Sequence, residues 1–273
     1  MKNHAIRRWI YRHELLSIIL MSTVFCSLYT VLFWGGKELL WFTILGNVFV
    51  IFLCCRIVLN QKYVLISRAD SIRNHKCDPE PLLEEVNLQF EFFKNTKYEQ
   101  RLLNARGAVL NVMGEYEKSY EISLSVLKAN LKDNNHTRNM IYYGNVSSSL
   151  YKLGRYEEAH EYYSKATEEY EKIKKPEEKY YHKSYIDSFR VTDLMSKGCY
   201  REALDLIESL DKEESLSAEI VWGALKSARC YIGLGEYDKA REKLEYVIAN
   251  GNKLYAVTEA KELLETLNNS EQQ

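Results

Sequence analysis

The residues that most often carry out chemistry in enzymes stand alone in this sequence. His136, His160 and His182 lie singly among lysines and glutamates, and the six cysteines include no Cys-x-x-Cys pair. No glycine-rich phosphate loop, Gly-x-Ser-x-Gly motif or His-Glu-x-x-His motif occurs. Neither a metal site nor a disulfide framework is therefore indicated. The sequence predicts no enzyme, no cofactor and no metal.

Charge divides the chain into a basic and an acidic part. Residues 1–76 hold ten Lys/Arg and three Asp/Glu, a balance of +7, whereas residues 77–273 hold 27 and 35, a balance of −8. Because phosphates are repelled by an acidic surface, the second part argues against a DNA or RNA partner. Its carboxylates often stand three or four residues from a lysine, which is typical of solvated helix faces.

Two apolar segments dominate the basic part of the chain. Residues 15–34 are twenty residues without a charge, and residues 39–55 are seventeen more. Each is close to the roughly 20 residues that a helix needs to cross a bilayer. Gly35 to Glu38 between them predict a tight turn, so we expect a transmembrane hairpin with the lipid bilayer as its partner. A cleaved signal peptide and a hairpin buried in a soluble core are the alternatives.

Basic residues flank both apolar segments. Those before the first are Lys2, Arg7, Arg8 and Arg12, and those after the second are Arg56, Lys62, Arg68, Arg73 and Lys76. Positive flanks remain in the cytoplasm, so both termini and everything after the hairpin are expected there. The usage of Tyr, Lys, Glu and Asn suggests a bacterial cytoplasmic membrane. Asn47 could hydrogen-bond between hairpins and promote self-association, or pack within its own hairpin.

A Gly-x-Tyr-x-x-small phrase occurs four times in the acidic part. Its glycines are Gly114, Gly154, Gly198 and Gly235; a tyrosine follows each by two residues, and the small residues are Ser119, Ala159, Ala203 and Ala240. Each glycine is expected to end one helix in a left-handed conformation, and each small residue to let the next helix approach closely. A period of about 40 residues predicts stacked helix pairs rather than one closed core.

These residues resemble the tetratricopeptide repeat (TPR). The resemblance implies an all-α fold with a TPR-like α-solenoid of about four helix pairs plus capping helices, behind the transmembrane helical hairpin. The units are expected at 100–133, 140–173, 184–217 and 221–254. Residues 80–94 and 253–267 are expected to cap the two ends of the solenoid, the second as a solvated helix.

The full division follows from these patterns. It comprises a basic cytoplasmic N-terminus (1–13), two transmembrane helices (14–34 and 39–59), a basic juxtamembrane linker (60–79), the solenoid (80–268) and a flexible tail (269–273). Pro79 and Pro81 mark the boundary before the solenoid, because proline breaks a helix that reaches it.

The resemblance also implies where a partner binds. TPR proteins bind mostly through the first helix of each pair, which lines a concave groove. Carried over to this sequence, the partner-binding residues are Arg101, Asn104, Asn111, Ser148, Tyr151, Tyr185, Ser188, Trp222 and Arg229. Only Arg101, Asn104 and Asn111 resemble part of the clamp with which some members hold a peptide C-terminus, so a full clamp is not expected.

Two functions fit the sequence. The first is a membrane-anchored scaffold or adaptor whose groove recruits a helix or extended segment of a partner protein. The alternative is a membrane-tethered sensor that binds a short signalling peptide, for which a closed superhelix, an effector domain or a polar intramembrane residue would be expected. The sequence names neither the partner nor the pathway.

Overall fold

Helices account for every regular element in the part of the chain that the structure describes. The structure is a computed structural model that describes residue 9 and residues 13–33, 40–96, 98–130, 134–210 and 217–270. The helices are α1 (Glu14–Phe33), α2 (Leu40–Lys76), α3 (Glu80–Phe93), α4 (Glu99–Val112), α5 (Tyr116–Asn130), α6 (His136–Lys152), α7 (Tyr156–Glu171), α8 (Pro176–Tyr181), α9 (Lys183–Ser196), α10 (Tyr200–Ser209), α11 (Ser217–Gly233), α12 (Tyr237–Asn250) and α13 (Ala256–Ser270). The expected all-α class is confirmed over these residues.

Helices α1 and α2 pack against each other as a hairpin. The Asn47 side chain donates a 3.0 Å hydrogen bond to Thr30 Oγ1 across it, so this amide bonds within its own hairpin. The expected turn at residues 35–38 lies outside the described residues, as do residues 271–273 of the expected tail. Among the helices described, none combines the length and the apolarity needed to cross a membrane.

Helix α2 is one continuous helix of 37 residues. It runs through most of the stretch expected to be a linker and ends at Lys76, just before the two prolines. Cys77 follows in a left-handed conformation with φ +53°, which turns the chain into α3. The repeat region therefore follows directly from the hairpin helix.

The four glycines of the repeated phrase make the same turn. Their φ angles are +83°, +74°, +75° and +74° in chain order, in the left-handed region that favours glycine. At Gly154, for example, the Arg155 N–H donates to the Leu150 carbonyl at 3.0 Å, and the equivalent bond closes the other three turns. The expectation that each helix ends in a left-handed glycine is confirmed.

The turns join four helix pairs that stack in chain order. The pairs are α4–α5, α6–α7, α9–α10 and α11–α12, with α3 before them, α13 after them and the short α8 between the second and third. Ser119, Ala159, Ala203 and Ala240 are each no more than 1% exposed, so a larger side chain has no room between the paired helices.

The last helix packs against both ends of the stack. The Tyr255 N–H donates to the Val112 carbonyl of α4 at 3.2 Å, and the Tyr255 ring meets Tyr116 edge-on with centroids 5.8 Å apart. The Lys253 N–H donates to the Cys77 carbonyl at 3.1 Å. The segment 253–267, expected as a solvated cap, is half enclosed, with Leu254 and Leu267 only 2% and 5% exposed. Through Lys253 and Tyr255 the end of the chain packs onto its beginning.

Candidate binding face

The stack curves so that its second and fourth pairs meet. Lys152 at the end of α6 places its Nζ 4.6 Å from the ring centroid of Trp222 on α11, although the α9–α10 pair lies between them in the chain. Such a contact requires the first helices of the pairs to lie on the concave side. We call the surface of α4, α6, α9 and α11 that carries these side chains the inner face.

Polar side chains link the first three pairs across the inner face. The Asn145 amide donates to Asn104 Oδ1 at 2.9 Å, and the Tyr185 hydroxyl donates to Asn145 Oδ1, also at 2.9 Å. The Asn111 amide donates to Ser149 Oγ at 3.2 Å. The partners stand 38 to 41 residues apart, one repeat along the chain. Three residues predicted to meet a partner thus bond to the neighbouring pair.

A second link joins α6 to α9 around a carboxylate. Asp193 is buried and accepts hydrogen bonds of 2.8 Å from the Tyr151 hydroxyl and the Lys197 ammonium, while His160 Nδ1 also lies 2.8 Å away. Burial alone would raise the pKa of Asp193, but these three groups hold that pKa below its usual value. Asp193 is therefore charged at neutral pH and holds the two helices together.

A third link joins α9 to α11 through Lys226. Its ammonium donates to the Ser188 carbonyl at 2.9 Å and to Ser188 Oγ at 3.0 Å, both neutral acceptors. Burial, together with the charge of Lys152, lowers the pKa of Lys226 to about 8. Since its ordinary value is 10.5, the charged form of Lys226 is disfavoured by folding.

Replacing Lys226 with methionine is expected to stabilise the protein. A pKa lowered on folding means that the ammonium opposes folding at pH 7, and that this cost disappears as pH rises from about 8 to 10.5. Lys226→Met should therefore raise the free energy of unfolding by about 1–3 kcal/mol at pH 7, with a smaller gain at pH 10. Urea unfolding of both proteins at the two pH values measures this, and a Lys226→Met protein less stable than wild type at pH 7 would contradict it.

The centre of the inner face is built around Glu259 of α13. Its Oε1 accepts hydrogen bonds from the Tyr116 hydroxyl and, at 2.9 Å, from Lys152. Its Oε2 accepts from Arg229 at 2.8 Å. Tyr116, Lys152, Trp222, Arg229 and Glu259, which we call the central cluster, come from the first, second and fourth pairs and the last helix. One carboxylate thus connects both ends of the stack.

The pKa shifts in the central cluster show which charged groups the folded protein stabilises. Burial would raise the pKa of Glu259, but the charge of Lys152, the Tyr116 hydroxyl and Arg229 bring it below its usual value. The pKa of Lys152 is also lowered, because its burial outweighs the attraction of Glu259. The Glu259 side chain is 7% exposed and that of Lys152 is 26% exposed, so the pair holds a charged carboxylate in a largely buried position.

The predicted binding residues differ in how far their side chains are exposed. Tyr151 is 6% exposed, so it packs between helices rather than facing a partner, and Trp222 lies beneath Lys152. Arg229 bonds to Glu259. Ser148 is partly exposed between Asn145 and Lys152 at helical spacing, and Arg101 is exposed on α4. The structure also brings to this face four residues that the sequence did not predict there: Tyr116, Lys152, Lys226 and Glu259.

Helical spacing could have identified two more residues of the face. Asn145 and Lys152 stand three residues before and four after Ser148, so they share its side of α6. The sequence prediction for this helix joined Ser148 to Tyr151, whereas the inner face continues from Ser148 to Lys152. Gly144 packs on α9, where an added Cβ would lie 2.5 Å from the Phe189 ring. No sequence signal indicated Glu259, which lies outside the repeated phrases.

Comparison with known proteins adds little to this geometry. No protein-family model matches the chain, and no curated protein matches it. One solved structure, that of BtubC (BKLC) from P. vanneervenii, is similar over 76% of this chain and 90% of the BtubC chain, at 13% identity and a TM-score of 0.39.

The residues that the structure describes contain no group of three or more His, Cys, Asp or Glu placed to hold a metal ion.

Proposed function

We propose that this chain is a membrane-anchored TPR scaffold or adaptor, whose inner face recruits a helix or extended segment of a partner protein. The observation that carries the proposal is the curved stack of helix pairs, with polar side chains arranged at one-repeat spacing along its concave side. Curved helical repeats use such surfaces to bind extended chains. The repeat region and both termini would lie in the cytoplasm of a bacterium.

Open positions on the inner face are the places to look for the partner. Ser148 on α6 and Thr192 on α9 are both partly exposed, and Thr192 shares a side of its helix with Ser188. A photo-crosslinking residue at either position should yield one discrete protein adduct in native membranes, and the same residue at the exposed Glu168 of α7 should not. Equal adducts from all three positions, or none from the inner face, would refute the scaffold.

The exposed apolar side chains of the α1–α2 hairpin support the proposed membrane anchor. Large apolar side chains project from both helices, among them Val24, Val31, Leu45 and Phe49, which are 56%, 79%, 64% and 59% exposed. An apolar surface of this extent is rare on a protein surrounded by water and is typical of contact with a membrane or another protein.

The anchor predicts that the protein stays with the membrane at high pH. After washing with sodium carbonate, which releases proteins held by charge alone, we expect the full chain in the pellet and in solution only after detergent is added. Release by carbonate would contradict the anchor. If detergent-free protein were instead a stable oligomer, the apolar surface would be a protein interface.

One observation favours the alternative, a sensor of a short peptide. The contacts of Glu259 with Tyr116, Lys152 and Arg229 connect the last helix to the first, second and fourth pairs, which limits the size of an occupant. Ligand size separates the two functions. Adducts from Ser148 with peptides of a few residues, rather than with a protein, would favour the sensor.

A further inference from the structure

The inner face contains more positive than negative charge beside the central cluster. Lys152, Lys226 and Arg229 are three cations, and Glu259 is the carboxylate that pairs with two of them. Lys226 and Arg229 are three residues apart and therefore share one side of α11. Lys152 lies near enough to Lys226 to affect its titration. This group of four residues carries a net charge of +2.

Lys226 has no carboxylate partner among the residues that the structure describes. Its two acceptors belong to Ser188 and are neutral, while an ammonium group carries three N–H donors. The third donor has no acceptor among the protein groups that the structure describes, and the side chain is partly buried. The lowered pKa of Lys226 has the same origin, since burial and Lys152 make a positive charge unfavourable there.

The neighbouring cations already pair with a side-chain carboxylate. Lys152 and Arg229 bind the carboxylate of Glu259 at 2.9 and 2.8 Å, so a carboxylate is the anion for which this face offers a precedent. A second carboxylate beside Lys226 would satisfy its remaining donor and reduce its repulsion with Lys152. An acidic side chain here would pair with an ammonium that has only the neutral acceptors of Ser188 among the described residues.

We propose that Lys226, flanked by Lys152 and Arg229, forms an anion-binding site on the inner face that takes an aspartate or glutamate side chain of a bound peptide segment. The site rests on the proposed function, because it specifies the chemistry of the segment recruited there. It is separate from Arg101, Asn104 and Asn111, and it joins the second and fourth pairs rather than the first. The partner segment is accordingly acidic.

Titration of Lys226 in the full chain in detergent micelles tests the site directly. The probe is an acetylated and amidated Asp-Gly-Asp-Gly-Asp peptide, and its control is the Asn-Gly-Asn-Gly-Asn peptide. The signal is the ¹³Cε resonance of Lys226 in lysine-labelled protein, assigned through Lys226→Gln. We expect the acidic peptide to raise the pKa of Lys226 by about one unit or more and the control to leave it unchanged.

Two comparisons make the result decisive. Lys226→Gln should bind the acidic peptide at least tenfold more weakly, while Lys261→Gln, at an exposed lysine of α13, should bind like wild type. No pKa change with the acidic peptide would overturn the site, as would equal binding by both variants. Inorganic phosphate is a separate arm: a pKa change with phosphate and none with the acidic peptide would overturn the assignment to a peptide carboxylate.

The experiments distinguish failure of this site from failure of the scaffold. Adducts from Ser148 and Thr192 together with an unchanged Lys226 would leave the scaffold standing and remove the anion site. Absence of adducts together with a raised Lys226 pKa would do the reverse.

Discussion

Replacing Glu259 with alanine is expected to lower the free energy of unfolding by about 3 kcal/mol. The substitution takes the carboxylate away from Tyr116, Lys152 and Arg229 together. Lys152 bears most of the loss, because its partly buried ammonium then has no counter-charge in the central cluster. Urea unfolding of the full chain in detergent, followed by the helical signal, measures the change.

A matched substitution on the same helix distinguishes this effect from a loss of helix propensity. Glu262 of α13 is exposed, so Glu262→Ala should change stability by no more than about 0.5 kcal/mol. Similar losses of unfolding free energy in both variants would show that the contacts of Glu259 do not stabilise the protein. The double substitution Lys152→Met and Glu259→Met should recover most of the stability, because it removes the buried charges as a pair.

Replacing Gly114 with alanine is expected to destabilise the protein by about 3 kcal/mol in total. Part of the loss is backbone strain of about 1–2 kcal/mol, because φ at Gly114 is +83°. The rest is collision, since the new Cβ would lie 2.5 Å from the Tyr255 ring. That ring belongs to the loop that packs the end of the chain onto α4. The substitution must therefore also weaken the contact between that loop and α4.

The equivalent glycine of the second pair supplies the control. Gly154 has nearly the same φ, +74°, but nothing lies within 4 Å of the added Cβ. Gly154→Ala should therefore lose only the strain, about 1–2 kcal/mol. Comparing the two unfolding free energies isolates the contact with Tyr255. Equal losses would mean that Tyr255 moves aside freely and that the closure is weak.

The structural features that could be predicted from the sequence are mainly those set by neighbouring residues. The glycine turns follow from neighbouring residues, because a helix that ends in a left-handed residue needs glycine there whatever surrounds it. The choice of residues on the inner face was less accurate. A helix repeats every 3.6 residues, so from Ser148 both the step of three to the buried Tyr151 and the step of four to Lys152 fit one side of α6, and spacing alone did not decide between them.

The closure could not be predicted from the repeated phrases. Tyr116 and Glu259 are 143 residues apart, and Lys152 and Glu259 are 107 apart, so no local pattern connects them. Whether a stack of helix pairs closes depends on small rotations added from one pair to the next. The extra helix α8 between the second and third pairs changes that sum. In the sequence, Glu259 looks like any other glutamate on a solvated helix face.

Helix α2 is one long, unbroken rod that joins the apolar hairpin to the repeats. Its 37 residues extend about 55 Å at 1.5 Å per residue, from the apolar hairpin to Lys76. At its end the Lys76 carbonyl accepts from the Asn252 amide at 2.8 Å, within the loop that leads into α13. A tilt of about 10° transmitted there would swing the far end of such a rod sideways by roughly 10 Å. The contacts that fix the angle of α2 at Lys76 therefore also decide where the apolar hairpin lies at the opposite end of the helix.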